Sequence, residues 1–520
     1  GDQDYVDGDE QLQLLRAQAC VILMSCIRRN AQSAKGVIYE MTADHSNRIL
    51  VLLLQSIWVS EKMEEVRGNI YAVLVQFERY ASFLRSSTSF QEEYVSKFSR
   101  SRRQGSVEMM TTLHQKSIKQ HAETFCKLVA SDLQTGSTGS YHSWRIVAHV
   151  ALIAVMNLAQ DDAYYLIDAL RSCNDLGHIC RDLRGIDDTI SFDAGKSASV
   201  YLLETRLVLL NRMAQSESGA RALLDQSVVP LLCSCKFLDT VERKFCRHED
   251  LQSRPSEEDL FLPTKALCAA LRFVNSMLVT LPDHRQLQEE VTVFVRKLAP
   301  TFSKVLEIRD EAIRRGVSST WDLLVDITSL VHLLSVSQEF LRSPFVGKLA
   351  QSMANLLQIL VQKRNRQGRV SSSSWRALSD EGHFIVNLRI LEVIKNIVSF
   401  FCQAKLENCP RLFPQSPDSD AALGLQLIHL LEHLPESLSR VDRQQDSVNS
   451  DLLYIFENCM TILWRELSLY GTTANTAEDS TLHSAVQTLE SLQKMKSHLA
   501  SGFSEFLLRR ILLRMEDLRP

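Results

Sequence analysis

The sequence predicts an all-α chain, an irregular α-solenoid of stacked helix pairs that ends in long C-terminal helices. Three observations carry this. Breakers are scarce, with 18 Gly and 11 Pro in 520 residues, whereas Leu, Ala, Ser, Gln, Glu and Arg abound, as long helices require. Apolar residues recur at three- and four-residue intervals: Leu203, Leu207, Leu210 and Met213, then Leu267, Leu271, Val274, Leu278 and Leu281, then Leu323, Ile327, Leu330 and Leu334. Finally, "VYLLETRLVLL" (200–210) and "HFIVNLRILEVIKNIVSFF" (383–401) are apolar on more than one face, so they belong between neighbours rather than beside water. A chain this long exceeds one core and must be several domains or an elongated stack.

Taken in chain order, the opening "GDQDYVDGDEQ" carries neither an initiator Met nor a signal-peptide pattern and reads as the edge of an excised fragment. Polar, Gly/Pro/Ser-rich stretches then mark breaks at 99–106, 134–140, 183–197, 246–259, 364–374, 408–420 and 470–479. They divide the chain into N-terminal helical repeats (1–135), central repeats (136–365) and C-terminal tail helices with a partner groove (375–520). Within the central part, "NRMAQSESGARALLDQSVVPLL" (211–232) predicts a helix, a short turn with Gly219, a brief helix over Ala220 to Leu224, and a new helix that tolerates Pro230 in its first turn. "RRNAQSAKGVIYEM" (28–41) is a weaker echo, and the two turns resemble those of armadillo and HEAT repeats.

Composition narrows the function. A formal charge of −4 gives no reason to approach polyanions, so nucleic acid is not an expected partner. Twelve cysteines lying largely within apolar helical patterns act as small hydrophobes, which points to a reducing compartment. The apolar runs at 48–58 and 147–159 are shorter than the ~20 residues that span a bilayer and read as core helices. No transmembrane segment, small-molecule substrate, metal or cofactor is expected.

Four motifs could carry chemistry, and each has a plainer reading. Cys233, Cys235, Cys246 and His248 supply the four ligands of a tetrahedral zinc site. However, a C-x-C pair on a helix directs its side chains about 200° apart, and thiols that fill a helix contact explain the pattern better. "HLLEH" places His429, Glu432 and His433 in the H-x-x-E-H arrangement of a zinc hydrolase. No third ligand is identifiable downstream, and histidines near a helix C-terminus are favoured without a metal. "FDAGKSAS" (192–199) ends like a phosphate loop, but Ile190 stands where its first Gly should be, and Ser197 reads as an N-cap. The basic runs at 100–103 and 363–369 lack interleaved aromatics and read as solvated loops.

A binding face is better supported. The last helix, from about Thr481 to Met515, stays apolar almost to the chain end, where a terminal repeat normally presents a polar face. Packing onto the preceding helix accounts for most of this surface. The groove between the two is still the natural seat for an amphipathic partner helix, lined by Phe456, Trp464, Leu492, Met495, Leu499, Phe503, Phe506 and Leu507.

"RMAQSESGARALLDQSVVPLLCSCKFLD" (212–239), "FLPTKALCAALRFVNSML" (261–278), "FENCMTILWRELSLY" (456–470) and "GFSEFLLRRILLRM" (502–515), in that order, resemble the C-terminal region of the largest inner-ring scaffold nucleoporins, the nucleoporin 205 and 192 family related to nucleoporin 188. The likeness spans at least residues 200–515, and residues 1–150 contribute little to it. It implies a non-enzymatic α-solenoid of the nuclear pore complex, located at the nuclear envelope. Its partners would be other nucleoporins, in particular a helical segment of a nucleoporin 93-type linker docking near Trp464 and Phe503. The alternatives are an importin-like transport adaptor and the zinc hydrolase.

Overall fold

The computed structural model describes residues 43–59, 64–90, 97–134, 142–192, 197–246, 257–307, 318–368, 381–404 and 450–462. Every regular element among them is helical. The chain forms two compact units: residues 1–237 with 279–281, and residues 238–278 with 282–520.

The first unit holds α1 (Ala43–Val59), α2 (Glu64–Phe90), α3 (Lys97–Gln134), α4 (His142–Ala159), α5 (Tyr164–Ser172), α6 (Asp175–Asp187), α7 (Ala198–Ala214), α8 (Glu217–Asp225) and α9 (Val228–Cys233), plus the first residues of α10 (Lys236–Cys246). Contacts join α1 to α3, α2 to α4, α3 to α4 and α5, and α4 to α7. Each helix therefore meets elements one to three places along the chain, the near-neighbour packing of a stack. Helix α7 is sandwiched as its pattern predicts: Leu202, Leu203, Leu207, Leu209, Leu210 and Met213 are all buried.

Three local expectations change and a fourth, the core-helix reading of 147–159, holds. The break predicted at 99–106 lies inside α3. No proline interrupts it, and Gly105 is exposed, with nothing within 4 Å of where a Cβ would stand. Gly219 lies within α8, which begins at Glu217 after the Ser216 side chain caps the Gly219 amide at 3.3 Å. The glycine is needed for closeness rather than for a turn, because a Cβ there would stand 2.1 Å from the Met213 carbonyl oxygen at the end of α7. Ser197 does precede α7, but its side chain makes no cap bond; its carbonyl accepts from Tyr201 instead. The stretch Ser143–Ser172 is long and apolar enough in composition to cross a membrane. In the fold it is α4 and α5 separated by a 3-10 turn at Gln160–Ala163. Ala148, Leu152, Val155, Met156, Leu158, Leu166 and Leu170 are buried, as in a core helix pair.

Two buried histidines are expected to make this unit acid-sensitive. His114 Nε2 lies 3.0 Å from Ser46 Oγ, and burial, then the Arg85 charge, pushes its pKa down to about 4. His149 Nδ1 lies 2.6 Å from the Arg145 carbonyl, and burial, then Arg206, holds it well below the ordinary histidine value. Both folded pKa values lie below the unfolded one near 6.5. The stability they contribute is therefore complete above that value and is lost as pH falls through it toward the folded values. A thermal melt should show a Tm several degrees lower at about pH 5 than at about pH 7, and His114→Gln should flatten that dependence. An unchanged slope in the variant would exonerate His114.

The second unit holds the rest of α10, most of α11 (Glu257–Thr280), α12 (Arg285–Leu306), α13 (Ser318–Leu333), the short α14 (Gln338–Leu341), α15 (Pro344–Gly368), α16 (Glu381–Gln403) and helical residues 450–462. Here α13 packs on α16, α12 on α14 and α15, and α15 on α16. Helix α15 runs through the first residues of the break predicted at 364–374. Phe273, Phe294, Phe302, Trp321, Phe340, Phe400, Phe401 and Phe456 are the largest fully buried side chains among its described residues, contributed by α11, α12, α13, α14, α16 and residues 450–462.

Candidate partner-binding surface

Helix α16 has two apolar faces, and Val393, Ile394, Ile397, Val398, Phe400 and Phe401 are buried. One side is fixed to α13 by polar contacts. Asn396 Nδ2 donates to Thr328 Oγ1 at 3.2 Å and Arg389 Nε reaches Asp322 at 3.0 Å. The other side takes residues 450–462. Lys395 Nζ donates to Asp451 Oδ1 at 2.6 Å and lies 5.5 Å from the Tyr454 ring centre, while Ser399 Oγ meets Tyr454 Oη at 3.4 Å. Leu452, Ile455, Phe456, Cys459 and Met460 fill the buried face of this last described helix, and Tyr454 is 38% exposed.

Of the predicted partner-binding residues, Phe456 is thus fully buried midway along that helix. Trp464, Leu492, Met495, Leu499, Phe503, Phe506 and Leu507 lie outside the described residues, as do His429, Glu432, His433 and His248. Cys233 ends α9, Cys246 ends α10, and Cys235 is buried with its Sγ 3.5 Å from the Leu231 carbonyl oxygen, a contact within one helical turn. Among the described residues, no group of three His, Cys, Asp or Glu side chains is arranged to hold a metal.

The sequence reading missed the buried ionic networks that tie helices together. In the first unit, Arg67 Nε donates to Asp132 Oδ2 at 2.9 Å, its Nη2 pairs with Oδ1, and Tyr71 Oη donates to Oδ2 at 2.7 Å. Burial, then the Asp132 charge, raises the Tyr71 pKa well above its ordinary value, so the phenol stays a donor. Asp182 Oδ2 accepts from Arg145 at 2.8 Å and from the fully buried Arg206 at 2.9 Å, and Arg206 Nη1 also donates to the Ile179 carbonyl at 2.6 Å. Asp187, at the end of α6, caps α10 from a distance, accepting from the amides of Lys236 and Phe237 at 2.7 and 2.8 Å. In the second unit, Arg272 bridges Asp322 at 3.4 Å and Asp326 at 3.0 Å. Burial raises the Asp326 pKa to about 7 against the opposing pull of Arg272. The partners are 24 to 65 residues apart in sequence for the Asp182 and Asp132 pairs, beyond any local pattern. These groups lock helix to helix.

Residues 3–336 match a family described as nuclear pore complex scaffold, nucleoporins 186/192/205. The match lies mostly upstream of the 200–515 stretch on which the resemblance was read, so "FENCMTILWRELSLY" and "GFSEFLLRRILLRM" fall beyond it. The nuclear pore complex protein Nup205 of Drosophila melanogaster is 27% identical over 253 residues, which is 44% of this chain and 12% of that protein. Among solved structures, a circular tandem repeat protein with novel repeat topology is 14% identical, with 92% of this chain and 96% of that one covered at a TM-score of 0.20.

Proposed function

The chain belongs to the family of nuclear pore complex scaffold nucleoporins 186/192/205, and from this we propose that it is a non-enzymatic part of the pore's inner-ring scaffold that captures a helix from a linker nucleoporin. The family match over residues 3–336 carries the reading. Near-neighbour helix packing supports it, because a stack offers long surfaces to several partners while its contacts stay local. The working location is the nuclear pore complex at the nuclear envelope, and the partners are other nucleoporins.

The proposed seat for a nucleoporin 93-type amphipathic segment is the groove that the sequence predicts between its last two long helices, with Trp464 and Phe503 as anchors and Leu492, Met495, Leu499, Phe506 and Leu507 lining it. Phe456, the other residue of that predicted lining, is buried within residues 450–462. A short segment from a mostly disordered linker would fold as it docks, placing apolar anchors at i, i+3, i+4 and i+7. Phe503→Glu is expected to weaken binding of a synthetic linker helix by about tenfold or more in calorimetric titration, with helical content unchanged. An unaltered isotherm would eliminate the groove. A tagged chain that failed to gather at the nuclear rim would count against the location.

A further inference from the structure

In the second unit, a cleft of about 630 Å3 lies along the first half of α12, from Arg285 to Arg296, beside the segment around α14 and the beginning of α15. Its walls include Arg285, Arg296 and Arg342, the hydroxyl residues Ser337 and Ser343, and Glu339, with no large apolar side chain among them. Arg285 is committed to Glu289, which also lines the cleft, at 2.7 Å. Arg342 has only a long 3.5 Å contact, to the neutral Gln338.

Two long helices open onto the same space. Helix α12, of 22 residues, begins at Arg285, and His284 before it offers its first amides no side-chain cap. Helix α15, of 25 residues, begins at Pro344, another lining residue. Each helix start carries about half a positive charge. Against these stand Glu289, already paired, and the exposed Glu339.

We propose that this cleft recognises a phosphorylated linear peptide, with the phosphoryl group of a phosphoserine held between Arg296 and Arg342. Guanidinium groups bind phosphate oxygens through charge-assisted, two-pronged hydrogen bonds. Arginine clusters are the recurrent device for reading phosphorylated segments. A single compact dianion suits this lining better than a run of carboxylates, which would spread charge toward Glu289 and Glu339. The volume fits one modified side chain and its flanking backbone. The reading does not rest on the C-terminal groove.

The test uses the full chain and three fluorescein-labelled degenerate peptide pools, identical except for a central phosphoserine, serine or glutamate triplet. The phosphoserine pool is expected to bind about tenfold tighter than the serine pool, with affinity falling as salt rises. Arg296→Gln and Arg342→Gln should each weaken it severalfold, and the double variant should abolish the preference. Both side chains are exposed, so melting curves should match the parent. Equal binding of all three pools, glutamate binding as tight as phosphoserine, or full binding by a folded double variant would each overturn the proposal.

Discussion

Asp182→Ala is expected to destabilise the first unit by about 3–5 kcal/mol, read as a shift in the denaturant midpoint at neutral pH. The carboxylate is shared by two guanidiniums, one of them on the fully buried Arg206. Burial, partly opposed by Asp182, already lowers the Arg206 pKa to about 10. The cation is thus held in a medium that disfavours it, and removing Asp182 leaves it buried with the Ile179 carbonyl as a hydrogen-bond partner but without that counter-charge. Arg206→Met should cost far less, because an apolar side chain of similar length needs no partner there. The double variant Asp182→Ala/Arg206→Met should be more stable than Asp182→Ala alone. If Asp182→Ala melts like the parent, the network does not hold α4, α6 and α7 together.

The second large effect is expected at Gly219. Ala at this position would place its Cβ 2.1 Å from the Met213 carbonyl oxygen and 2.9 Å from Ile167 Cδ1. The isoleucine tip can turn aside, but the carbonyl belongs to the end of α7 and cannot move without shifting that helix. Overpacking against such a wall costs about 1–3 kcal/mol or more, so Gly219→Ala should lower Tm despite the better helix propensity of alanine. Gly105→Ala is the matched control. It lies in α3 with open space where the Cβ would go, and should gain about 0.5–1 kcal/mol. Equal behaviour of the two variants in the melt would refute the close contact between α7 and α8.

The ionic networks and Gly219 show where reading a sequence reaches its limit. Arg206 sits within "VYLLETRLVLL", where spacing alone marks it as a polar interruption in an apolar helix. Its partner Asp182 lies 24 residues away, on another helix. Gly219 looked like a turn residue because glycine most often is one. Its actual requirement, closeness to a backbone oxygen, arises only when two helices meet. The predicted breaks erred in the same direction. Polar side chains and one glycine at 99–106 suggested a loop, but nothing in that stretch forbids a helix, and α3 continues through it.

Residue order by itself determined the helical character of the described residues, the apolar ridges and the burial of Cys126, Cys180, Cys235, Cys268 and Cys459 as small hydrophobes, because these follow from a backbone period of 3.6 residues and from transfer out of water. It also carried the likeness to scaffold nucleoporins, through segments of which the first two lie within the family match. Tertiary structure alone decided which charges share a carboxylate, that Asp187 caps a helix about fifty residues on, and that three arginines and two helix starts line one cleft. Such pairings depend on distances through space between residues far apart in the chain, and helical periodicity encodes only the face on which each residue stands.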